Sequence, residues 1–421
     1  MSPSPRSELA VATTQESVAS IKAQMAALRR MRRFVDWRES SAFAQELCSL
    51  IEDLAASVSD PRTGVELVAT FYETDDVVFN HCDDSNGSIG EVFRHDARAL
   101  FVHYAARYED KEWLASLVLK LNRHDGFGLR DHLFDCAADY LPPEVIRGMI
   151  DSLWKLAEEE TNEYQRRHWL RGIESLATQL KDAPAFERAR RASWPTPGTA
   201  ACVDIAAAYL ASGDAATALS WLERIPEGET FQADERDQLL LEVHRELGNR
   251  EQQETVAWRM FRRCRCPETL ETLLSVIGEE QRERMIDEAV RDILASEEIS
   301  YPDAVFLVSS KRMEAAETYL LARADQLDGY YYECLLPLAE SMEKDSRFLA
   351  ASIIYRALLE SILGRAQSKY YHHGVRYLRK LDALARKIED WRGVLPHDLY
   401  ADSLRRTHAR KTSFWSRYRG E

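Results

Sequence analysis

The chain has 421 residues, of which 45% are hydrophobic and 30% are charged, and its formal net charge is −15. This composition allows a large buried core in a very soluble protein, and the negative charge opposes nonspecific binding to nucleic acid. No apolar stretch approaches the roughly 20 residues that cross a bilayer, and the polar N-terminal sequence lacks the apolar run of a secretory signal. Glycine and proline are sparse, at 17 and 13 residues, which disfavours a turn-rich sheet protein and favours long helices.

Hydrophobic residues recur at the i, i+3, i+4, i+7 spacing of an amphipathic helix along almost the whole chain. The best strand candidate, residues 76–79, is too short to seed a sheet, so the sequence predicts an all-α fold. In chain order, the predicted helices lie near 14–33, 40–58, 62–79, 89–107, 111–121, 128–139, 143–160, 162–180, 184–192, 199–212, 215–224, 233–247, 250–263, 267–277, 280–294, 301–309, 312–325, 330–343, 346–364, 368–388 and 395–408.

One segment resembles the tetratricopeptide (TPR) unit, in which two helices cross at a small residue. Gly213 supplies the tight turn between the helices, and Tyr209 lies four residues before it. Ala218, five residues after the turn, is the small residue at the crossing. A second glycine turn, at Gly248, follows 35 residues after the first, which is a helical-hairpin period.

Two more turns share this spacing. Ser310 and Asp345 lie 35 residues apart, and Ala315 and Ala350 take the small crossing position after them. Together the four turns predict an irregular TPR-like array of helical hairpins, that is, an α-solenoid.

The Pro-Thr-Pro-Gly stretch at residues 195–198 is turn chemistry and marks a predicted boundary between two helical parts. The sequence predicts a disordered segment at 1–13, an N-terminal helical domain at 14–194, TPR-like repeats at 199–364 and basic capping helices at 365–421.

Charge is spread unevenly along the chain. Residues 365–421 carry 14 Lys or Arg against 6 Asp or Glu, and residues 22–38 carry six against one, so both ends are basic and the middle is acidic. We expect the basic ends to dock on the acidic body. The alternative is that they bind an acidic partner or nucleic acid.

The number of cysteines is odd and their spacing is irregular, which does not fit a disulfide framework. Several lie on apolar helix faces, so we expect buried free thiols in a reducing cytoplasm. These residues are Cys48, Cys82, Cys136, Cys202, Cys264, Cys266 and Cys334.

No phosphate-binding loop, dinucleotide fingerprint, nucleophile elbow or H-E-x-x-H motif is present. Residues 81–84, His-Cys-Asp-Asp, offer four possible metal ligands, but adjacent side chains cannot all face one ion. We interpret this segment as a loop that caps the helix beginning near Ile89. Cys264 and Cys266 lack the second ligand pair of a zinc site and are interpreted as thiols at helix ends. The sequence therefore predicts no metal and no cofactor.

Arg98 and His103 have the R-x4-H spacing of metal-independent HEPN ribonucleases, in which the His acts as a base and the Arg holds phosphate. Ala99 departs from that motif, and His103 falls on an apolar stripe with Leu100 and Val102. We therefore favour a structural role for His103 and keep the ribonuclease as the lowest alternative.

The C-terminal segment interleaves cations with aromatic residues, a mixture that suits phosphate contact and base stacking. It equally suits a terminal helix that its aromatic residues anchor to the array while the cations stay in water, and we favour that interpretation. The candidate binding residues are Arg405, Arg406, His408, Arg410, Lys411, Phe414 and Trp415.

Three short stretches, at residues 34–38, 83–87 and 404–415, resemble an uncharacterised bacterial family of unknown function. That family is similar to the helical region accompanying SWIM-type zinc fingers. The resemblance implies a helical-repeat fold and no established activity. A SWIM finger needs C-x-C followed by C-x-H, and this chain has no C-x-H, so the zinc function is not carried over.

The leading hypothesis is a non-enzymatic scaffold or adaptor that binds a protein or peptide on a helical-repeat surface. The acidic middle of the chain predicts a basic partner, and no membrane association is expected. The alternatives are a nucleic-acid accessory factor that uses the basic termini and, last, a ribonuclease through Arg98 and His103.

Overall fold

The computed structural model describes residues 18–420. Throughout this range the regular elements are helices, and one isolated parallel bridge joins Val35 to Cys82, which confirms the all-α prediction. The predicted disordered segment 1–13 lies outside the described residues. None of the helices between residues 18 and 420 is long and apolar enough to span a membrane.

The chain divides into two compact units, the first ending at Leu239 and the second beginning at Leu240. The helices of the first unit are α1 (residues 18–28), α2 (Ser40–Ser57), α3 (Pro61–Tyr72), α4 (Asp75–Asn80), α5 (Ser88–Glu91), a π-helix (Val92–Ala97), α6 (Arg98–Arg107), α7 (Lys111–Asn122), α8 (His132–Asp135), a 3-10 turn (Ala137–Asp139), α9 (Pro143–Glu159), α10 (Glu163–Leu180), α11 (Ala183–Ser193), α12 (Thr199–Ser212) and α13 (Ala215–Leu222).

Helix α14 (Ala233–Glu246) contains the division between the units. The helices that follow are α15 (Arg250–Arg263), α16 (Pro267–Ile277), α17 (Arg282–Ala295), α18 (Tyr301–Ser309), α19 (Met313–Ala322), α20 (Tyr332–Lys344), α21 (Phe348–Arg365), α22 (Tyr371–Ala385), α23 (His397–Thr407) and α24 (Thr412–Arg419), with 3-10 turns at Glu279–Gln281, Ala324–Gln326 and Ser368–Tyr370.

The predicted helix 62–79 is in fact two helices, α3 and α4, separated at Thr74. The hydroxyl of this buried threonine donates to the carbonyl of Phe71 and so competes with the helical backbone pattern. Directly after the break, the carboxylate of Asp75 accepts hydrogen bonds at 2.5 and 2.8 Å from the guanidinium of Arg130. Both side chains are almost completely buried, so this ion pair ties α4 to the segment that precedes α8.

Between residues 18 and 420, five helix ends share one hydrogen-bond pattern, the Schellman motif. At each, a residue with positive φ ends the first helix, and the backbone N–H of the next residue donates to the carbonyl five residues earlier, over 2.8–2.9 Å. The positive-φ residues are Lys181, Gly213, Gly248, Lys311 and Ser346.

These ends include the four predicted repeat turns and add one, at Lys181, that the sequence did not suggest. Gly213 has a positive φ at its turn, Ala218 is fully buried, and the Tyr209 hydroxyl donates to Glu187 over 2.7 Å. In the two later turns the positive-φ residues are Lys311 and Ser346, one position after the predicted Ser310 and Asp345.

Counted from these positive-φ residues, the small residue five positions after the turn is also one residue later than predicted. Ala316 and Ala351, both fully buried, stand where Ala315 and Ala350 were predicted. Ala315 itself is only half-buried, whereas Ala350 is fully buried beside its neighbour. The 35-residue interval is unchanged by the shift.

Within the first unit, Arg190 on α11 bridges two carboxylates from the flanking helices. Its guanidinium lies 3.2 Å from Glu174 on α10 and 3.0 Å from Asp204 on α12. Burial raises the pKa of Glu174 to about 7, because the stabilising charge of Arg190 only partly offsets the loss of water.

Candidate functional site

A cavity of about 340 Å³ opens in the second unit between α20, α21 and α22. It lies within the size range of ligand sites in proteins. Its lining is formed by Gly329, Tyr332, Leu336, Leu358, Ile362, Arg365, Gln367, Tyr370, His373, Arg376 and Tyr377.

The loop before α20 forms one wall of the cavity because it runs very close to α21. A Cβ atom at Gly329 would overlap the carbonyl oxygen of Ala357, so only glycine allows this approach. The Tyr301 hydroxyl accepts a hydrogen bond of 2.8 Å from the backbone N–H of Asp328 and fixes the start of the loop. Asp328 in turn accepts from the backbone N–H of Tyr330 at 2.8 Å. The loop is therefore held in place by several specific contacts.

Two tyrosines of the cavity lining, Tyr332 and Tyr370, are exposed, and so are Tyr330 and Tyr331, which directly precede Tyr332 in the chain. The exposed fractions are 64% for Tyr330, 51% for Tyr331, 53% for Tyr332 and 42% for Tyr370. The Tyr331 ring packs against that of Tyr301, with the centroids 4.9 Å apart. Large aromatic side chains that stay in water at this density mark interaction surfaces.

The floor of the cavity is apolar. Leu358 on α21 and Tyr377 on α22 are buried, and Leu336 and Ile362 are half-buried beside them. These side chains form an apolar contact surface at the bottom of the cavity.

Two arginines line the cavity and carry its charge. Arg365, at the end of α21, donates to the Ser361 hydroxyl over 2.8 Å and lies 5.6 Å from the Tyr330 ring centroid. Arg376, on α22, lies 5.4 Å from the ring of Tyr377. Neither forms an ion pair with a carboxylate of residues 18–420, and neither Asp nor Glu is among the lining residues. The cavity is thus cationic inside an acidic protein.

His373 adds a polar ring but no charge at neutral pH. Burial, the neighbouring His372 and the positive charge of Arg376 lower its pKa below the ordinary value of 6.5. The two imidazole rings lie with their centroids 3.9 Å apart and their planes tilted by 39°. At pH 7 the permanent charges on the lining are therefore those of the two arginines.

The predicted C-terminal binding residues separate into a buried set and an exposed set. The Phe414 ring is fully buried against Gly374 and Tyr371 of α22, the latter at a centroid distance of 5.7 Å. The indole N–H of Trp415 donates to the His408 carbonyl at 2.9 Å. Phe414 is therefore unavailable to stack on a ligand, and it anchors α24 to α22.

The three arginines of this segment are exposed to water. Arg405 pairs with Asp402 at 3.3 Å, and the Arg406 side chain bonds the Asp402 carbonyl at the same distance. Arg410 is exposed and Lys411 is half-buried. Burial and the charge of Lys411 lower the pKa of the half-buried His408.

Arg98 and His103 both lie on α6, where five residues of α-helix place them about 140° apart around its axis. Arg98 is half-buried, whereas His103 is exposed. The prediction that His103 lies on an apolar stripe was wrong, because the buried face of α6 carries Leu100, Phe101 and Tyr104 instead.

Three of the four possible ligand side chains at residues 81–84 have another partner. The His81 ring bonds the Val77 carbonyl, and Asp83 accepts from the backbone N–H of Ser85, whereas the bridge between Cys82 and Val35 is formed by the backbone. Asp84 accepts from the backbone N–H groups of Ile89 and Gly90 over 2.8 and 2.9 Å, which confirms the predicted cap. No group of three or more metal-ligating side chains occurs between residues 18 and 420.

No disulfide joins the cysteines of residues 18–420, but the cysteines are not all buried. Cys136 and Cys202 are buried as expected. Cys264 and Cys334 are exposed, so the expectation of buried thiols was wrong for them. Cys264 follows α15 directly and Cys266 precedes α16, in agreement with the interpretation as helix-end thiols.

The sequence reasoning missed the cavity, although two signals for it were present. One is the Gly-Tyr-Tyr-Tyr stretch at residues 329–332, and the other is the aromatic and basic start of α22 at residues 369–377. They are separated along the chain by the whole of α21, and only the fold places both beside its apolar face.

The chain belongs to a family of unknown function, DUF6880, whose model matches residues 5–417. No curated protein matches the chain. The family match covers nearly the whole chain, and it shows no relation to SWIM-type zinc-finger proteins.

Proposed function

We propose that this protein is a non-enzymatic adaptor that binds a segment of a partner protein in the cavity between α20, α21 and α22. The observation that carries the proposal is the apolar floor beside the exposed Tyr332 and Tyr370, together with two arginines that form no ion pair with a carboxylate among residues 18–420. Tyrosine and arginine are the residue types that dominate the energetic centres of protein interfaces.

Physical reasons favour a peptide segment over other ligands. A tyrosine offers a large amphipathic contact and loses little side-chain entropy when it is fixed, because only two torsions are restrained. The cavity volume of about 340 Å³ is at the low end for ligand sites and suits one or two side chains of a chain lying across the surface.

The helical hairpins provide a rigid support for such a site. We propose that they stack in the TPR-like manner, since α18 contacts α20 and α19 contacts α21, so that one hairpin lies against the next. The shared Schellman turns and the 35-residue interval support the same arrangement. Helical repeat proteins use the surfaces of stacked hairpins to bind partners.

A peptide selection tests this proposal. A random library of displayed 12-residue peptides is selected against the full chain and, in parallel, against the variant Tyr332→Ala/Tyr370→Ala. A matched control, Tyr164→Ala, removes a tyrosine that is 73% exposed in the first unit. We expect peptides that bind the wild type and the control but not the cavity variant. Peptides that bind all three proteins equally, or no selected peptide at all, would refute the proposal.

A second candidate is nucleic-acid binding by the exposed cations around α23 and α24, favoured by the absence of an ion-pair partner for Arg410 among residues 18–420. The variant Arg406→Glu/Arg410→Glu keeps the Phe414 anchor, unlike a deletion of the segment. If this function exists, the variant weakens a salt-dependent interaction with single-stranded or duplex DNA. Equal binding by variant and wild type would dismiss it.

A further inference from the structure

We infer that the segment bound in this cavity carries a carboxylate side chain next to an aliphatic or aromatic side chain. The inference rests on the proposed function and adds the chemistry of the partner. The sequence predicted a basic partner from the acidic middle of the chain, whereas this inference gives the partner an acidic side chain. The net charge of a long segment does not determine the charge of one cavity within it.

The first step concerns charge. Arg365 and Arg376 reach the cavity from two different helices, and no acidic side chain lines it. Three acidic residues lie close to this lining. Glu333 accepts a hydrogen bond from the Tyr332 hydroxyl at 3.2 Å, and Asp328 and Glu360 line a neighbouring groove together with Arg365. None of them forms an ion pair with Arg365 or Arg376 among residues 18–420, so both guanidinium groups can pair with an anion from a partner.

The second step concerns water. A neutral or basic segment that covered the cavity would strip water from the arginines without replacing its hydrogen bonds, which is unfavourable. A carboxylate restores those bonds, and charge-assisted bonds from arginine are stronger than neutral ones. The selection between acidic and neutral segments should therefore be about tenfold to hundredfold in affinity.

The third step concerns the neighbouring side chain of the partner. Leu336, Leu358 and Ile362 form an apolar floor beside the arginines. A carboxylate alone would leave this floor exposed, whereas an adjacent leucine or phenylalanine side chain would cover it. Burial of apolar surface then adds to the ion pairing.

A carboxylate fits better than a polyanion. The neutral His373 leaves only two permanent positive charges on the cavity lining, which match one carboxylate better than the many phosphates of an oligonucleotide. A phosphopeptide and an oligonucleotide are therefore tested as competitors, and the carboxylate peptide is the expected ligand.

The test uses the peptides selected for cavity-dependent binding. We expect them to be enriched in Asp or Glu next to Leu, Ile, Phe, Tyr or Trp. One such peptide is resynthesised with its acidic residue changed to Gln and to Lys, and each form is titrated against wild-type protein, Arg376→Glu and a control, Arg379→Glu. Arg379 is exposed on the same helix but does not line the cavity.

The Gln peptide should bind the wild type about tenfold to hundredfold more weakly. The Lys peptide should bind Arg376→Glu better than the wild type, whereas Arg379→Glu should behave as the wild type does. A structural defect of Arg376→Glu cannot produce this rescue. Cavity-dependent peptides that are neutral or basic, or that a phosphopeptide or oligonucleotide of the same length outcompetes, would overturn the inference and leave the proposed function standing. If no selected peptide requires the cavity for binding, both the proposed function and this inference are refuted.

Discussion

The role of the C-terminal aromatic residues can be decided by the variant Phe414→Ala. The ring is fully buried, and its contacts with Gly374 and Tyr371 attach α24 to α22. Truncation of a fully buried phenylalanine costs about 3–5 kcal/mol through the lost burial and the cavity left behind. The eight-residue helix α24 is too short to be stable in water by itself, so it depends on this anchor.

We expect the loss to appear first at the C-terminus. A cost of about 3 kcal/mol corresponds to roughly a hundredfold faster amide exchange in α24, measured on the full chain by hydrogen exchange and mass spectrometry. The control is Leu399→Ala on α23, because this leucine is 51% exposed and its truncation should change stability by less than about 0.5 kcal/mol. Unchanged exchange in α24 of Phe414→Ala would refute the anchoring role and reopen the interpretation of this segment as a binding site.

Three further predictions concern the first unit, and each is checked by urea unfolding. Because the folded-state pKa of Glu174, about 7, lies above the ordinary 4.5, folding takes up a proton, and the free energy of unfolding falls as pH rises from about 4.5 to 7. Glu174→Gln should flatten that dependence and raise stability at pH 8 by about 2 kcal/mol, and an unchanged pH profile would contradict this. Arg130→Met leaves the buried Asp75 without its cation and should cost about 3–5 kcal/mol, so a loss below about 1 kcal/mol would show that the pair is unimportant. Asp84→Ala removes the acceptor of two backbone N–H groups and should cost about 1–2 kcal/mol, more than Asp83→Ala, and equal effects would disprove the capping role.

The features that the sequence predicted well depend on local chemistry. Gly213 and Gly248 indicate turns in the sequence because glycine accepts positive φ without strain. Lys311 and Ser346 adopt the same backbone conformation, but their side chains give no sign of it, so the predicted turns fell one residue early. Helix periodicity located most elements, whereas the break at Thr74 depends on a hydroxyl that bonds its own backbone.

The buried ion pair and the cavity could not be predicted from the sequence, because both depend on contacts between residues that are distant along the chain. Asp75 and Arg130 are 55 positions apart, and neither residue type indicates a buried pair. The cavity likewise combines the loop at Gly329, the apolar face of α21 and the basic start of α22. Each part has an ordinary local interpretation in the sequence. The cavity forms only where α20, α21 and α22 pack together.

The most direct test of the central claim is the affinity of one selected peptide for the full chain, measured by isothermal titration calorimetry with the cavity intact and altered. Tyr332→Ala/Tyr370→Ala should weaken binding at least about tenfold, because loss of an interface hot-spot residue costs about 2 kcal/mol or more. Tyr164→Ala should leave it unchanged. Equal affinity of all three proteins for the peptide would contradict the account, because binding would then occur away from the tyrosines, arginines and apolar floor between α20, α21 and α22.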